Sequence, residues 1–220
     1  MDIKHYYVEK GQGEPLILLH GNGEECGYFV NQIDEFAKYF HVYAIDTRGH
    51  GKTPRGEAPF TIRQFVKDLA GFMDERGIEK ANILGFSDGG NIALLFAIKY
   101  PGRVLKLVAD GANLDTTGIV PKLMAAMRRE YQKAIDEGDV QKEEMFSLMV
   151  NDPNIPVADL AKIKAQTLIM AGTEDMIPEE HTRMIAENIA GSRLEFVEGD
   201  HFIAAGNPKE FNSIVLDFLR

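Results

Sequence analysis

The stretch Ile83 to Ala93, ILGFSDGGNIA, restricts what this chain can fold into more than any other. An apolar run ends in Gly85-Phe86-Ser87-Asp88-Gly89 and a helix-like pattern follows at once, so the backbone must turn sharply from strand to helix at Ser87. A side chain two positions either side of the serine would strike the neighbouring strand or helix, and glycines fill both places, with Gly90 giving further room. Such a strand-turn-helix is a nucleophile elbow. It presents the Ser87 hydroxyl at the carboxyl end of a strand, where open α/β sheets place their ligands.

The rest of the chain reads as the sheet that such a turn requires. Leu16 to Leu19 is wholly apolar, which implies a central parallel strand buried on both faces. Further strands are expected at Ile3 to Val8, His41 to Ile45, Ala81 to Phe86, Val104 to Ala109, Thr167 to Ala171 and Arg193 to Val197. Helical spacing marks Tyr28 to Tyr39, Thr61 to Arg76, the segment from the elbow to Tyr100, Glu179 to Ile189 and Pro208 to Leu219. This alternation predicts an α/β fold, a mostly parallel doubly wound sheet with helices on both faces. Between about Asp115 and Lys164 the order breaks, because Pro121 to Glu137 and Val140 to Val150 are both helical with no strand between them. A core made of residues 1–114 and 165–220, carrying a small helical lid over 115–164, accounts for the pattern.

Composition narrows the partners. With 220 residues and 45% hydrophobic content the chain suffices for one domain, and a net charge of -10 argues against nucleic acid or an anionic membrane surface. The N-terminus lacks an apolar signal core and no run approaches the ~20 residues of a membrane helix. A single cysteine, Cys26, excludes an internal disulfide and reads as a small packed residue. The expectation is a cytoplasmic protein acting on a small molecule; its oligomeric state is not legible.

A serine hydroxyl is a weak nucleophile at neutral pH and needs a base that is itself oriented by a third group. Of the six histidines, His5 and His41 lie in or beside early strands, His20 and His50 in glycine loops, and His181 on a surface-looking helix. His201, in Gly199-Asp200-His201-Phe202 just past a strand, lies at a loop on the same sheet edge as the elbow and is the candidate base. The orienting acid should follow a strand between Ser87 and His201. Asp175 meets that demand, with Asp110 and Glu174 as rivals, since chain order alone does not separate them. Backbone donors for an oxyanion are expected from Asp88, at the helix start, and from Asn22, in the loop after Leu16 to Leu19.

HGNG after one apolar strand, DTRGHG after the next, then GFSDGG, GTED and GDH occur in the order and rough spacing of the α/β-hydrolase fold family, which the chain resembles over nearly its whole length. The resemblance implies Ser87 as nucleophile, His201 as base, Asp175 as acid, and the Asn22 and Asp88 amides as the oxyanion hole, with no metal or organic cofactor. It also implies that Asp46, Arg48 and His50 shape a loop beside the elbow. The chain departs from the family at its start, where one strand stands in place of the usual hairpin. Serine at position 87 sets aside the branches that use aspartate there.

Asp88 is the unusual neighbour. An unpaired anion about 5 Å from a developing oxyanion would cost roughly 3 kcal/mol at an effective dielectric near 20, so something should compensate it. It either turns away, capping its helix or pairing with Arg48, or holds a cationic substrate group such as an α-ammonium. GFSDGG, GAN and GSRLEFVEG look like the biphenyl-hydrolase-like serine hydrolases, which include amino-acid ester hydrolases. In the lid, Met124, Met127, Tyr131 and Met149 recur at helical spacing, as either packing or the roof of an acyl pocket, while Arg128, Arg129, Glu143 and Glu144 read as a solvated face. The expected activity is hydrolysis of a small carboxylic ester. The alternatives are hydrolysis of a carbon-carbon bond in ring-cleavage products and a slow-turnover ligand sensor on the same fold.

Overall fold

The computed structural model describes residues 2–220. The strands are β1 Tyr7–Lys10, β2 Pro15–Leu19, β3 His41–Ile45, β4 Ala81–Phe86, β5 Val104–Asp110, β6 Gln166–Gly172 and β7 Arg193–Val197. They form one seven-stranded sheet in the order β1-β3-β2-β4-β5-β6-β7, in which only β1 is antiparallel to its neighbour. The opening strand thus pairs on the sheet's outer edge, four residues later than the apolar pattern at Ile3 suggests. Its place is fixed by the Tyr6 backbone, whose N–H donates to Thr53 Oγ1 (2.9 Å) and whose carbonyl accepts from Asp46 N (3.0 Å).

Period-two alternation divides the core. Leu16 and Leu18 of β2 face one side with Leu84, Phe86, Phe29, Phe36 and Phe211, while Ile17 and Leu19 face the other with Ile83, Phe65, Leu69, Phe72 and Met73. The first side is covered by α1 Val30–Phe36 and α8 Pro208–Leu219, and the second by α2 Ile62–Glu75, α3 Asp88–Lys99 and α6 Glu179–Glu187. α7 Ile203–Gly206 is a single turn before α8. The expected helix over Tyr28 to Tyr39 is shorter: a 3-10 turn at Cys26–Phe29 leads into α1, which ends so that Phe40 can return beneath the sheet. α2 begins where its cap says it should, with Thr61 Oγ1 accepting from Gln64 N at 3.2 Å, an arrangement worth about 1 kcal/mol.

Two further helices, α4 Pro121–Glu137 and α5 Val140–Asn151, lie between β5 and β6. They share an apolar cluster in which Met124, Met127 and Val150 pack with Ile119 and Ile177, and Tyr131, Phe146 and Met149 fill its margin. Ile177 belongs to the loop after β6, so the inserted pair rests on the segment that carries Asp175. It is also tied to the loop after β3, where Arg55 Nε donates to Glu144 Oε2 at 2.7 Å. Glu144 therefore is not part of a purely solvated face. The β3 loop is itself anchored by Arg48, fully buried, whose guanidinium donates to Asp68 and Asp2, each at 2.7 Å.

Candidate active site

Ser87 sits at φ 53° and ψ -119°, a conformation strained for a residue with a Cβ. It is held from behind, because its N–H donates to the Asp110 carbonyl at 2.8 Å. The flanking glycines are required by contact: a Cβ on Gly85 would lie 2.0 Å from the Gly89 carbonyl oxygen, and one on Gly89 would lie 2.0 Å from that of Leu19. The strand, the helix and β2 are therefore packed backbone to backbone around the turn.

His201 Nε2 is 3.0 Å from Ser87 Oγ and its Nδ1 is 2.7 Å from Asp175 Oδ1. With Nδ1–H donating to the carboxylate, Nε2 is left to accept from the hydroxyl. The carboxylate is fixed in turn by backbone donors, Ile177 N at 2.9 Å and Gly172 N at 3.3 Å. The His201 ring is buried and lies against Phe86, centroids 4.8 Å apart, and Phe86 stacks on Tyr28 at 4.5 Å. Of the rivals to Asp175, Glu174 is exposed, and Asp110 is fully buried with neither carboxyl oxygen bonded among the described residues. Burial pushes the Asp110 carboxyl well above the usual carboxylate range, helped by the charge of Asp175.

Asp88 is buried and does not pair with Arg48. Its compensation comes from amides: Asn22 Nδ2 donates to Oδ2 at 3.0 Å and Asn91 Nδ2 to Oδ1 at 3.3 Å. Asn22 Nδ2 also donates to the Met145 carbonyl of α5 (2.9 Å), and Asn91 Nδ2 to Asn113 Oδ1 (3.1 Å), so one chain of amides links the β2 loop, the elbow, the β5 loop and the inserted helices. Burial raises the Asp88 carboxyl to about 6, against the lowering effect of Asn22. Glu24, in the same loop as Asn22, is raised to about 7, again chiefly by burial, with the nearby His201 acting against the rise. The backbone N–H groups of Asn22 and Asp88 donate to no protein acceptor among the described residues.

Two of the remaining histidines have structural partners in the loops around the site. His20 Nε2 accepts from Thr47 N (3.0 Å) while Nδ1 donates to Gly21 O (2.7 Å), and burial lowers its pKa to about 4, so it stays neutral and shapes the loop. His181 is buried, not on a surface, and accepts from Leu114 N at 3.1 Å.

Six strands in parallel order with this elbow between β4 and α3 already define the architecture, and comparison with known proteins agrees. A family model described as alpha/beta hydrolase fold matches residues 14–147. The chain belongs to the α/β-hydrolase fold family. It is similar to the human serine hydrolase BPHL, with 30% identity covering 99% of this chain and 84% of that protein. It is also similar to the 2-hydroxymuconate semialdehyde hydrolase of Pseudomonas sp. strain CF600, with 30% identity over 96% of this chain and 88% of that one. Among solved structures, Est816, described as an N-acyl homoserine lactone degrading enzyme, superposes with a TM-score of 0.84 at 26% identity, covering 98% of this chain and 97% of that one. The chain is a hydrolase of this fold.

The fold brings Ser87, His201 and Asp175 into one hydrogen-bonded line and sets Asn22 against Asp88. Met124, Met127, Tyr131 and Met149 gather in the apolar cluster of the inserted pair. Sequence reading missed Asn91, Asn113, Glu24 and Tyr28. Asn91 was within reach, since three residues on from Asp88 along a helix is the same face. The others lie near the site only through the packing of distant loops.

Proposed function

We propose that this hydrolase cleaves small carboxylic esters through an acyl-Ser87 intermediate. The observation that carries the reading is the line Ser87 Oγ, His201 Nε2, His201 Nδ1, Asp175 Oδ1, with steps of 3.0 and 2.7 Å across its two hydrogen bonds. As Ser87 Oγ attacks the ester carbonyl, His201 takes its proton and later returns it to the leaving alkoxide; the same ring then activates the water that frees the acyl group. Asp175 holds the reactive tautomer and stabilises the imidazolium. The unengaged N–H groups of Asn22 and Asp88, the second at the start of α3, supply the oxyanion hole, each such donor typically worth about 3 kcal/mol in the transition state. The inserted helices act as a lid, and Met124, Met127, Tyr131 and Met149 shape the apolar side of the acyl pocket through their cluster.

The electrostatics favour one class of ester. The charged groups acting on Asp88 and Glu24 are Asp152 and His201, with no lysine or arginine among them. A neutral or cationic substrate is thereby favoured over the anionic vinylogous acids taken by carbon-carbon bond hydrolases, and an α-amino-acid ester can set its ammonium against Asp88. The test is a panel of activated esters varying in chain length and α-amino substitution, run with a vinylogous diketone acid and a serine-directed phosphonate. A pre-steady-state burst and phosphonate labelling that both vanish in Ser87→Ala are expected; full turnover in that variant refutes the mechanism. Asp88→Asn should lower the preference for aminoacyl over plain acyl esters, and an unchanged ratio removes the ammonium site.

A further inference from the structure

We propose that Asp110 is a second orienting carboxyl for His201, able to take over the pairing when the Asp175 carboxylate is removed. This rests on the serine mechanism above. Asp110 is the last residue of β5 and lies beside Phe86 in the register of β4 and beside Met170 in that of β6. Register partners in parallel strands point to the same face. The side chain therefore sits under the elbow on the side where Phe86 meets His201. The next residue touches the histidine directly: a Cβ on Gly111 would fall 2.7 Å from His201 Cε1, 2.9 Å from Nδ1 and 3.6 Å from Asp175 Oδ2. Asp110 thus hangs from the backbone that borders the Asp175 edge of the ring.

A fully buried carboxyl whose two oxygens have no partner is rare and costly, and native structures seldom keep such a group without a use. The titratable groups facing this region are Asp175 from the loop after β6, His201 and Asp200 from the loop after β7, and Glu24 and Tyr28 from the segment after β2. Tyr28 Oη and Glu24 Oε2 are likewise buried and unpartnered. No lysine or arginine is among these groups. With Asp175 ionised, a second charge at Asp110 is opposed by repulsion and by burial, so Asp110 keeps its proton. Removing the Asp175 charge lifts the repulsion and leaves Asp110, joined to the Gly111 backbone that borders His201 Nδ1, as the buried carboxyl at that edge of the ring. Two carboxyls then share one negative charge in serving one imidazole.

The experiment compares wild type, Ser87→Ala, Asp175→Asn and the double variant Asp175→Asn with Asp110→Asn, measuring kcat/KM on an activated ester across pH 5 to 10. Loss of the orienting acid in serine hydrolases typically costs about 10⁴-fold. Asp175→Asn is expected to lose no more than about a hundredfold, and the double variant to fall at least a further tenfold and to lose the acid limb that Asp110 ionisation gives the single variant. Equal rates and equal profiles in the single and double variants overturn the proposal. Ser87→Ala separates the underlying reading, because full activity there defeats the serine mechanism whatever Asp110 does. Should the double variant not fold, infrared difference spectra of wild type against Asp175→Asn decide: loss of a protonated-carboxyl band in the variant at neutral pH supports the proposal, and its persistence overturns it.

Discussion

Replacing Ser87 by glycine should leave a more stable protein than replacing it by alanine, although both remove the hydroxyl. Ser87 is at φ 53° and ψ -119°, one of two non-glycine residues with positive φ among the described residues. Holding a residue with a Cβ in such a region costs about 1–3 kcal/mol. Glycine escapes that cost but loses about 0.5–1 kcal/mol more to unfolded-chain entropy than alanine does. The difference leaves the glycine variant ahead by up to about 2.5 kcal/mol, about 1 kcal/mol at mid-range, a shift of a few degrees in Tm for a chain of this size. Neither variant disturbs the contacts that force the turn, since Gly85 and Gly89 stay in place and the Ser87 N–H still reaches the Asp110 carbonyl. Urea denaturation and differential scanning calorimetry of both variants at one pH measure the gap. An alanine variant as stable as the glycine one would show that the elbow stores no strain and that the turn is merely permitted by its surroundings.

The other predictions concern charge. Asp88 has a carboxyl raised from the ordinary 3.8 to about 6, so the stability tied to its neutral form is fully present below about 3.8 and is lost as pH rises through about 6. Asp88→Asn has no such loss; relative to wild type it should gain about 1–3 kcal/mol between pH 4 and pH 8, offset by about 1 kcal/mol for a weakened amide bond, and a gap independent of pH would contradict the assignment. Glu144→Gln cuts the tie between α5 and the β3 loop. Because Arg55 is 37% and Glu144 25% exposed, global stability should fall by less than about 1 kcal/mol, while limited proteolysis within residues 121–151 should quicken; an unchanged cleavage rate would mean the ion pair does not restrain the helices.

Much of this fold is local and hence readable. The strands β4 and β7 and the helices α4 and α8 stand where hydrophobic period and the glycine and proline stops place them, because burial of a face fixes their phase. The first strand starts later than its apolar pattern because an edge strand is set by pairing, here through Tyr6 to Asp46 and Thr53, more than by its own apolar residues. The burial of His181 has a related cause: the β5 loop that covers it is distant in sequence, and nothing local marks the Leu114 N–H from which it accepts.

The turn at Ser87 is written in the residues that flank it. Two glycines and a serine between a strand and a helix admit one geometry, and the apolar strands on either side leave only an α/β sheet to hold it. Tertiary structure decided everything that depends on a loop meeting another loop. It selected Asp175 over Asp110 and Glu174 for His201, because side-chain reach across strand ends is set by the twist and packing of β5, β6 and β7. It also neutralised the threat of Asp88 with the amides of Asn22 and Asn91, one of them 66 residues away. Hydrogen bonds at such separations leave no periodic trace in a chain.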